Sequence, residues 1–516
     1  MTSQKNPVKR ARLLLGIIAM VLAMLSLSAW ALASPVGSSP DDDYHLTSIW
    51  CSHGTGQFPC EASSNPTHRV VAGAFRKSVC YAFQTSQSAS CQGESFGFVP
   101  SETVDTNRGN FNGDYPPVYY WTVGLFAGPD MATSVVAMRI FNAALLVLLL
   151  SFVFFFSPSR FRIPLVWGLV ATSIPLAFFV IPSTNPSSWA VTSIAILWVA
   201  LLGYFETRGR QRVALGCASV VTAVMGAGAR ADAAIFVGLS VLVVVILTAK
   251  RTRAFARAAL LPLGLIAVAF FFFLQASQSS AATGGLDAAS TVAKSSPIVL
   301  FMANMVEVPS LWAGIFGTWG LGWLDTTMPG VVWVLSGGVF AGLIALGLSR
   351  TWRRKNLALL VVGLTLWLLP VIILVKSNAV VGSYVQPRYI LPLFILLAGL
   401  VLLRKPGENL RLNSTQAIVL AAFSVLAFAL ALRTNMRRYI NGVSNATWNL
   451  NANIGWWWDI PISPMVIWVI GTLAFAALVA VVTPGLLPDR FSLFVKSDST
   501  SNASRISPEP NAIPLS

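Results

Sequence analysis

Charged residues are scarce in this chain of 516 residues: they make up only 10% of it, against about 25% in an average soluble domain. Hydrophobic residues make up 55%, which excludes a soluble globular protein and also an intrinsically disordered one. The sequence has no glycine-rich phosphate-binding loop with its lysine and no visible repeat of about 20–50 residues. These absences leave a membrane protein that does not carry its own nucleotide-binding domain.

Long apolar runs predict an all-α polytopic membrane protein with about 12 transmembrane helices, within a range of about 10–13. The spans are predicted at 12–34, 131–156, 163–182, 188–205, 213–229, 233–249, 258–275, 330–349, 357–376, 389–403, 415–432 and 464–482. Residues 1–490 then form one membrane domain, and the Ser-, Pro- and Asn-rich stretch 491–516 is predicted to be a disordered cytoplasmic tail.

The segments between the spans alternate in charge. Most of the 35 basic residues lie in one set of short segments, and most of the 19 acidic residues lie in the other set. Short cytoplasmic loops carry an excess of Lys and Arg, so both termini are predicted to be cytoplasmic. The net charge of +16 therefore reflects topology, and no nucleic-acid partner is expected. The first span is predicted to be an uncleaved anchor, with a cleavable signal peptide as the alternative.

The longest polar stretch, 35–117, is predicted to be the first extracytoplasmic loop. It holds four of the five cysteines, and an even number outside the cytoplasm suggests two disulfides. Three pairings are possible, of which the local ones, Cys51–Cys60 and Cys80–Cys91, are favoured. The alternative is a zinc site made by Cys51, His53, Cys60 and His68, whose spacing matches no common zinc pattern.

A second outer loop, 276–329, starts Ser-, Ala- and Gly-rich and becomes aromatic. Its later part is too apolar for a free loop, so it is predicted to lie along the membrane surface or to re-enter the membrane. Trp323 and Asp325 in this part are candidates for an acceptor site or pocket. The alternative for such tryptophans is a belt at the membrane interface.

Three adjacent carboxylates, Asp41, Asp42 and Asp43, follow the first span, with His45 close behind. Because like charges repel, such a cluster either binds a cation, such as a divalent metal, or raises one pKa. Either outcome suits the removal of a proton from a hydroxyl group. The alternative is a helix N-cap, since acids and Pro40 are both favourable at a helix start.

An arginine, Arg388, stands between Pro387 and Pro392 at the outer start of a span. This position suits bidentate binding of a phosphate, with Tyr389 beside it and Lys376 able to assist. The alternative is a side chain that only reaches the lipid headgroups. Two further residues complete the phosphate or donor candidates, namely Tyr119 and Tyr120, where a Tyr-Pro-Pro segment enters the second span.

One more arginine, Arg139, lies within the apolar run of the second span. A charge at this depth is costly and needs a partner or water, which makes Arg139 a candidate for the acceptor site or pocket. Arg230 and Asp232 occupy another outer turn and are predicted to pair with each other.

Several of these segments resemble the DUF2142 family of bacterial multi-span membrane proteins. The segment Pro40-Asp41-Asp42-x-x-His45 resembles that family's Pro-Asp-Glu-x-x-His signature, with Asp42 where the family often has Glu. Later blocks are similar at 115–120, 322–329 and 388–392, and the likeness covers about residues 10–480. The family in turn resembles GT-C glycosyltransferases, which use a polyprenyl-phosphate-linked sugar on the outer face of a membrane, with an acidic residue of the first outer loop as base.

The resemblance implies a glycosyltransferase of the bacterial plasma membrane. It would move a sugar from a lipid-linked donor to a cell-envelope glycan, lipid or protein, with or without a metal. Asp41 or Asp42 would take the proton from the acceptor, His45 would orient the carboxylate or bind the acceptor, and Arg388 would neutralise the leaving phosphate. The alternatives are a transporter of lipid-linked glycans and a non-catalytic envelope assembly protein.

Overall fold

The computed structural model describes residues 7–56, 58–93, 96–277, 296–408, 412–443 and 447–487. The predicted tail 491–516 and part of the second outer loop, 278–295, lie outside the described residues. Within them the chain is an all-α polytopic membrane protein with one small β-sheet in its first long loop.

The helices are numbered here in chain order. The first nine are α1 (Pro7–Leu32), α2 (Asp42–Trp50), α3 (Ala74–Lys77), α4 (Val118–Gly124), α5 (Met131–Phe156), α6 (Ser159–Thr172), α7 (Phe178–Val180), α8 (Ser187–Glu206) and α9 (Gly209–Ala227). The others are α10 (Ala231–Thr248), α11 (Arg253–Ala258), α12 (Leu260–Gln275), α13 (Pro297–Ile315), α14 (Gly330–Leu348), α15 (Arg353–Lys376), α16 (Pro387–Leu402), α17 (Ser414–Asn441) and α18 (Pro464–Val482).

Eleven helices in the described part of the chain are long and apolar enough to cross a membrane. All of them except α13 coincide with predicted spans. The predicted spans 213–229 and 389–403 are also helices, α9 and α16, but neither is among the eleven, and α16 has only 16 residues. The centre of the bundle is α8, which is buried along almost its whole length and contacts α5, α6, α9, α10 and α16.

The additional helix, α13, falls in the segment that was predicted to be interfacial or re-entrant. The Asn304 side chain donates to the carbonyl of Ala379 (2.9 Å) and accepts from the N–H of Val381 (2.9 Å). Ten residues further on, Gly314 lies against Pro387. Both places on α13 therefore pack against residues 379–387, which lead from α15 into α16, and α13 is also long and apolar enough to cross a membrane.

The first long loop folds around two disulfides and a three-stranded antiparallel sheet. The disulfides are Cys51–Cys60 and Cys80–Cys91, which confirms the predicted pairing and shows that the zinc alternative was wrong. The sheet has the order β1 (Cys60–Ala62), β2 (Arg69–Ala72) and β3 (Thr103–Thr106). The sequence does not predict this sheet, because its strands have only three or four residues.

The segment that follows α1 is held in place by Arg139 of α5. This buried side chain donates to the carbonyls of Ala31 (2.9 Å), Ser34 (2.5 Å) and Pro35 (2.6 Å), and to the hydroxyl of Ser38 (3.0 Å). These bonds give the buried guanidinium the partners that a charge at this depth needs, and the assignment of Arg139 to an acceptor site or pocket stays a prediction. Its contribution is to position the aspartates that come next.

The same segment is held from its other side by the turn between α7 and α8. Asn185 donates to the carbonyl of Pro40 (2.9 Å), and the carbonyl of Ser183 accepts from Asn142 (2.8 Å) on α5. We call the side of the molecule on which this turn and the disulfide loop lie the loop face. Residues 35–45 are thus fixed between α5 and this turn at the loop face.

Candidate functional site

The three consecutive aspartates at the start of α2 have different partners. Asp42 is fully buried and accepts from the N–H of Ser39 (3.0 Å) and the hydroxyl of Thr184 (2.8 Å). Asp43 accepts two bonds from Arg108, at 3.0 and 2.7 Å. The carboxylates do not converge on one point, and across the described ranges no group of three or more His, Cys, Asp or Glu could hold a metal ion.

Asp41 faces a residue 347 positions away in the sequence. The Nη2 of Arg388 donates to its Oδ2 (2.7 Å), and the side chain of Asp41 is 41% exposed. Asp41 occupies the N-cap position of α2, as the alternative predicted, but its side chain makes no capping hydrogen bond. The predicted meeting of an N-terminal carboxylate and a late arginine is therefore present.

Arg388 is buried at the first turn of α16 and uses only part of its hydrogen-bonding capacity. Pro387 occupies the first position of that helix, where its fixed backbone angle is favourable. Besides Asp41, the Nη2 of Arg388 donates to the hydroxyl of Tyr389 (3.0 Å). Its Nε and Nη1 are buried and have no hydrogen-bond partner among the described residues. Because a buried unpaired donor is costly, these atoms are available to an acceptor.

His45 lies in an aromatic cluster next to Asp41. Its Nδ1 is 2.8 Å from the hydroxyl of Tyr120, and its buried Nε2 has no partner in the part of the chain that the structure describes. The rings of Tyr44 and Tyr115 contact the imidazole edge to face. The hydroxyl of Tyr44 donates to Asp114 (2.9 Å). These contacts fix the imidazole with one nitrogen unused.

The structure adds Arg230, which the sequence analysis did not assign to the site. Its Nε and Nη2 donate to Asp232 at 2.9 and 3.0 Å, which is the pair that was predicted. Its guanidinium also lies over the rings of Tyr389 (4.8 Å) and Tyr115 (5.6 Å). A sequence signal existed, because an arginine between alanines at an apolar outer turn is unusual for a purely structural charge.

A small cavity of about 20 Å³ adjoins Arg388. Its walls come from the break after α6, from residues 314–324 and from residues 386–388, and Arg388 is the one charged side chain among the described residues that line it. Two glycines line the cavity at positions where a side chain would not fit. A Cβ on Gly322 would lie 2.5 Å from the hydroxyl of Tyr439, and one on Gly314 would lie 2.4 Å from Pro387.

Two predicted pocket residues serve the packing of the loop face. Asp325 is buried and accepts from Arg438 (2.8 Å), and Trp323 donates from Nε1 to the carbonyl of Gly37 (2.9 Å). The carboxylate is occupied by the ion pair and the indole is bound to the segment before Asp41, and their assignment to an acceptor site or pocket stays a prediction.

Two predicted donor-binding residues also lie away from the cavity. Tyr119 is fully buried against Trp189, and its backbone N–H bonds to Gly228. Lys376 ends α15 and is not among the residues that line the cavity. Of the predicted donor-binding residues, Arg388 and Tyr389 are therefore beside Asp41, and Tyr120 reaches the site through His45.

Comparison with known families decides where the chain belongs. It matches the family described as a predicted membrane protein, DUF2142, over residues 24–397, more than half of its length. The chain belongs to the DUF2142 family. This matched region contains Asp41, His45, Arg230 and Arg388, whereas Arg438 lies beyond it. Neither the curated proteins nor the solved structures that were compared gave a match.

Burial and neighbouring charges set the protonation of the site in this DUF2142 member. Burial raises the pKa of Asp41, but the charge and hydrogen bond of Arg388, together with the charge of Arg108, outweigh that effect and leave its pKa below the ordinary value. Burial lowers the pKa of His45 to about 3, although Asp41 opposes this shift. At neutral pH the site therefore combines an ionised carboxylate with a neutral imidazole.

Asp42 should make the stability of the protein depend on pH. Burial raises its pKa to about 7, against the attraction of Arg139. The folded state thus binds the proton more tightly than the unfolded state, where an Asp pKa is about 3.9. The stability that the proton on Asp42 gives to the folded state is fully present below about pH 4 and is lost as the pH rises to about 7. We expect the Tm of the wild type in detergent to fall more steeply from about pH 5 to about pH 8 than that of Asp42→Asn.

The matched control for this experiment is Asp43→Asn, because Asp43 is paired with Arg108 near the surface. In this variant the Tm should change with pH as steeply as it does in the wild type. Equal slopes for the wild type and Asp42→Asn would show that Asp42 does not titrate in this range.

Proposed function

We propose that this DUF2142 member is a GT-C-like glycosyltransferase of the bacterial plasma membrane. It moves a sugar from a polyprenyl-phosphate-linked donor to an acceptor of the cell envelope. The loop face is the extracytoplasmic side and both termini are cytoplasmic, as the distribution of basic residues favours. The energy for transfer arrives in the sugar–phosphate bond, so no nucleotide is needed at this face.

One observation carries the proposal: the partly exposed carboxylate of Asp41 lies 2.7 Å from the buried guanidinium of Arg388, which keeps two unpaired nitrogens. Group transfer from a sugar phosphate needs a base for the acceptor and a cation for the leaving group. Asp41 and Arg388 supply these two functions next to each other.

The three aspartates are not equivalent for this chemistry. Asp42 is buried and occupied by Ser39 and Thr184, and Asp43 is held by Arg108. Asp41 is the most exposed of the three carboxylates that α2 presents, and at neutral pH it is ionised, as a base must be. It is therefore the aspartate that removes the proton.

In the proposed reaction, the acceptor hydroxyl attacks the anomeric carbon of the donor and inverts its configuration. The new bond joins the acceptor oxygen to that carbon, while the bond between the carbon and the phosphate oxygen breaks. The hydroxyl proton passes to Asp41. The leaving lipid phosphate keeps the electron pair, and the unpaired nitrogens of Arg388 bind it.

His45 acts as a neutral partner in this scheme. Its pKa of about 3 excludes a role as a general base at neutral pH, since it binds a proton too weakly. Its Nδ1 is occupied by Tyr120, and the unpaired Nε2 is free to hydrogen-bond the acceptor. This assigns His45 to acceptor binding, one of its two predicted roles.

The test is an analysis of lipid-linked sugars in a strain that lacks the gene. Loss of a transferase should leave one unused polyprenyl-phosphate sugar in excess, and the wild-type gene should return it to normal. A normal lipid-linked pool combined with an unchanged envelope glycan would overturn the proposal. Accumulation of the donor on the cytoplasmic leaflet would instead indicate a transporter.

A further inference from the structure

Arg230 is a second buried arginine at the proposed phosphate site, and part of its guanidinium is unused. Its side chain is only 6% exposed. Two of its nitrogens bind Asp232, while the buried Nη1 has no hydrogen-bond partner among the residues that the structure describes. A cation buried with an unmet donor is costly unless a ligand supplies the acceptor.

The two arginines share an aromatic neighbour. The guanidinium carbons of Arg230 and Arg388 lie 4.8 Å and 5.0 Å from the centre of the Tyr389 ring, so they are at most about 10 Å apart. Arg230 also contacts the ring of Tyr115, which in turn contacts His45. The unpaired nitrogens of all three polar side chains therefore belong to one buried cluster.

Other arginines near this cluster are already engaged and differ from this pair. Arg108 binds Asp43 with two bonds, and Arg139 makes four bonds to the segment after α1. In contrast, Arg230 and Arg388 each combine one carboxylate partner with unused nitrogens. Unused donors on two neighbouring cations are suited to an anion with several oxygens.

We propose that Arg230 and Arg388 together bind the phosphate group of the donor and that Arg230 acts mainly when the phosphate leaves. This inference rests on the proposed function and deepens it. The phosphate is a diester with one negative charge in the donor, and it becomes a monoester with up to two charges when the sugar departs. A second guanidinium therefore favours the charge that develops during transfer over the charge of the bound donor.

The inference can be tested by binding, with no knowledge of the sugar or the acceptor. The probes are farnesyl phosphate, a monoester, and its monomethyl ester, a diester that carries one charge less at about pH 8. Their binding to the full-length purified protein is measured by calorimetry. The wild type should prefer the monoester by about tenfold or more.

The decisive variant is Arg230→Gln combined with Asp232→Asn, which removes the ion pair without leaving a lone buried charge. It should bind the diester within about threefold of the wild type and lose the preference for the monoester. Arg388→Gln should weaken both ligands by about tenfold or more, because it removes the shared contact. Arg230→Lys retains the charge and should keep part of the preference. Arg76→Gln, an exposed change in the disulfide loop, is the control.

The outcomes separate the inference from the function on which it rests. If the double variant keeps the full preference while Arg388→Gln loses binding, Arg230 is not a phosphate ligand and the proposed function is unaffected. If the wild type binds neither probe, or binds both probes no more tightly than the Arg388→Gln variant does, the protein has no phosphate site and both proposals fail. The Tm of each variant shows whether it is folded. If the double variant is unfolded, the Arg230→Lys variant tests the role of residue 230 instead.

Discussion

Asp41→Asn should lower the rate of sugar transfer by a factor of about 10²–10⁴, the usual contribution of a general base. The amide cannot take a proton from the acceptor, whereas its oxygen can still accept the hydrogen bond from Arg388. The rate is measured with membranes that contain the variant and the accumulated lipid-linked sugar of the deletion strain as donor.

Asparagine is the right substitution because of the backbone at this position. Asp41 has φ 60° and ψ 23°, a left-handed conformation that Asn tolerates better than most residues. Alanine would combine the loss of the base with backbone strain, and the two effects could not be separated. Asp41→Asn should therefore reach the membrane in normal amounts.

The matched control is Asp43→Asn, which changes a neighbouring carboxylate that is bound to Arg108. We expect its rate to stay within about twofold of the wild type, because a partly exposed ion pair contributes little. Full activity of a folded Asp41→Asn variant would eliminate this residue as the base.

The two central residues of the site could be found from the sequence because each sits in a local pattern. Asp41 belongs to an acidic cluster directly after the first span, and Arg388 follows a proline at the start of another apolar run. Charge alternation predicts that both lie on the same side of the membrane. Local order and topology were thus sufficient to predict that these residues meet.

The remaining contacts could not be read from local order, because they depend on how distant segments pack. Arg139 looked like an unpaired charge in a span, and only the fold shows that it bonds to backbone carbonyls more than 100 positions earlier. The sequence likewise does not indicate that Asp325 pairs with Arg438, which lies 113 positions later. Arg230 was expected to pair with Asp232, yet nothing in its neighbourhood indicates the ring of Tyr389.

The same reasoning explains the differences in the fold. Hydropathy identified most of the long helices, since a run of about 20 apolar residues is a strong signal. The sequence does not predict α13 as a span, because the segment 276–329 starts Ser-, Ala- and Gly-rich and only then becomes aromatic. The short strands of the disulfide loop give no such signal, because their side chains alternate over three or four residues only.

Arg438→Met should destabilise the protein by about 3–5 kcal/mol, the typical result of breaking a buried ion pair from one side. Arg438 is fully buried and its partner Asp325 is 5% exposed. Arg438 also donates to the carbonyls of Tyr81 (2.9 Å), Gln84 (3.1 Å) and Gln87 (2.6 Å). One side chain thus joins α17, the disulfide loop and the segment that contains Trp323, and its loss leaves several acceptors without a donor.

The measurement is the free energy of unfolding, or the Tm, of the purified protein in detergent. Combining Arg438→Met with Asp325→Asn should recover part of the loss, because it removes the buried unpaired carboxylate but not the lost bonds to the disulfide loop. The control is Lys77→Gln, which breaks the exposed pair of Lys77 with Glu102 and should cost less than about 1 kcal/mol. If Arg438→Met were no more destabilising than Lys77→Gln, the attachment of the disulfide loop would not depend on Arg438. A large effect would instead show that one residue outside the matched family region holds the loop above the site.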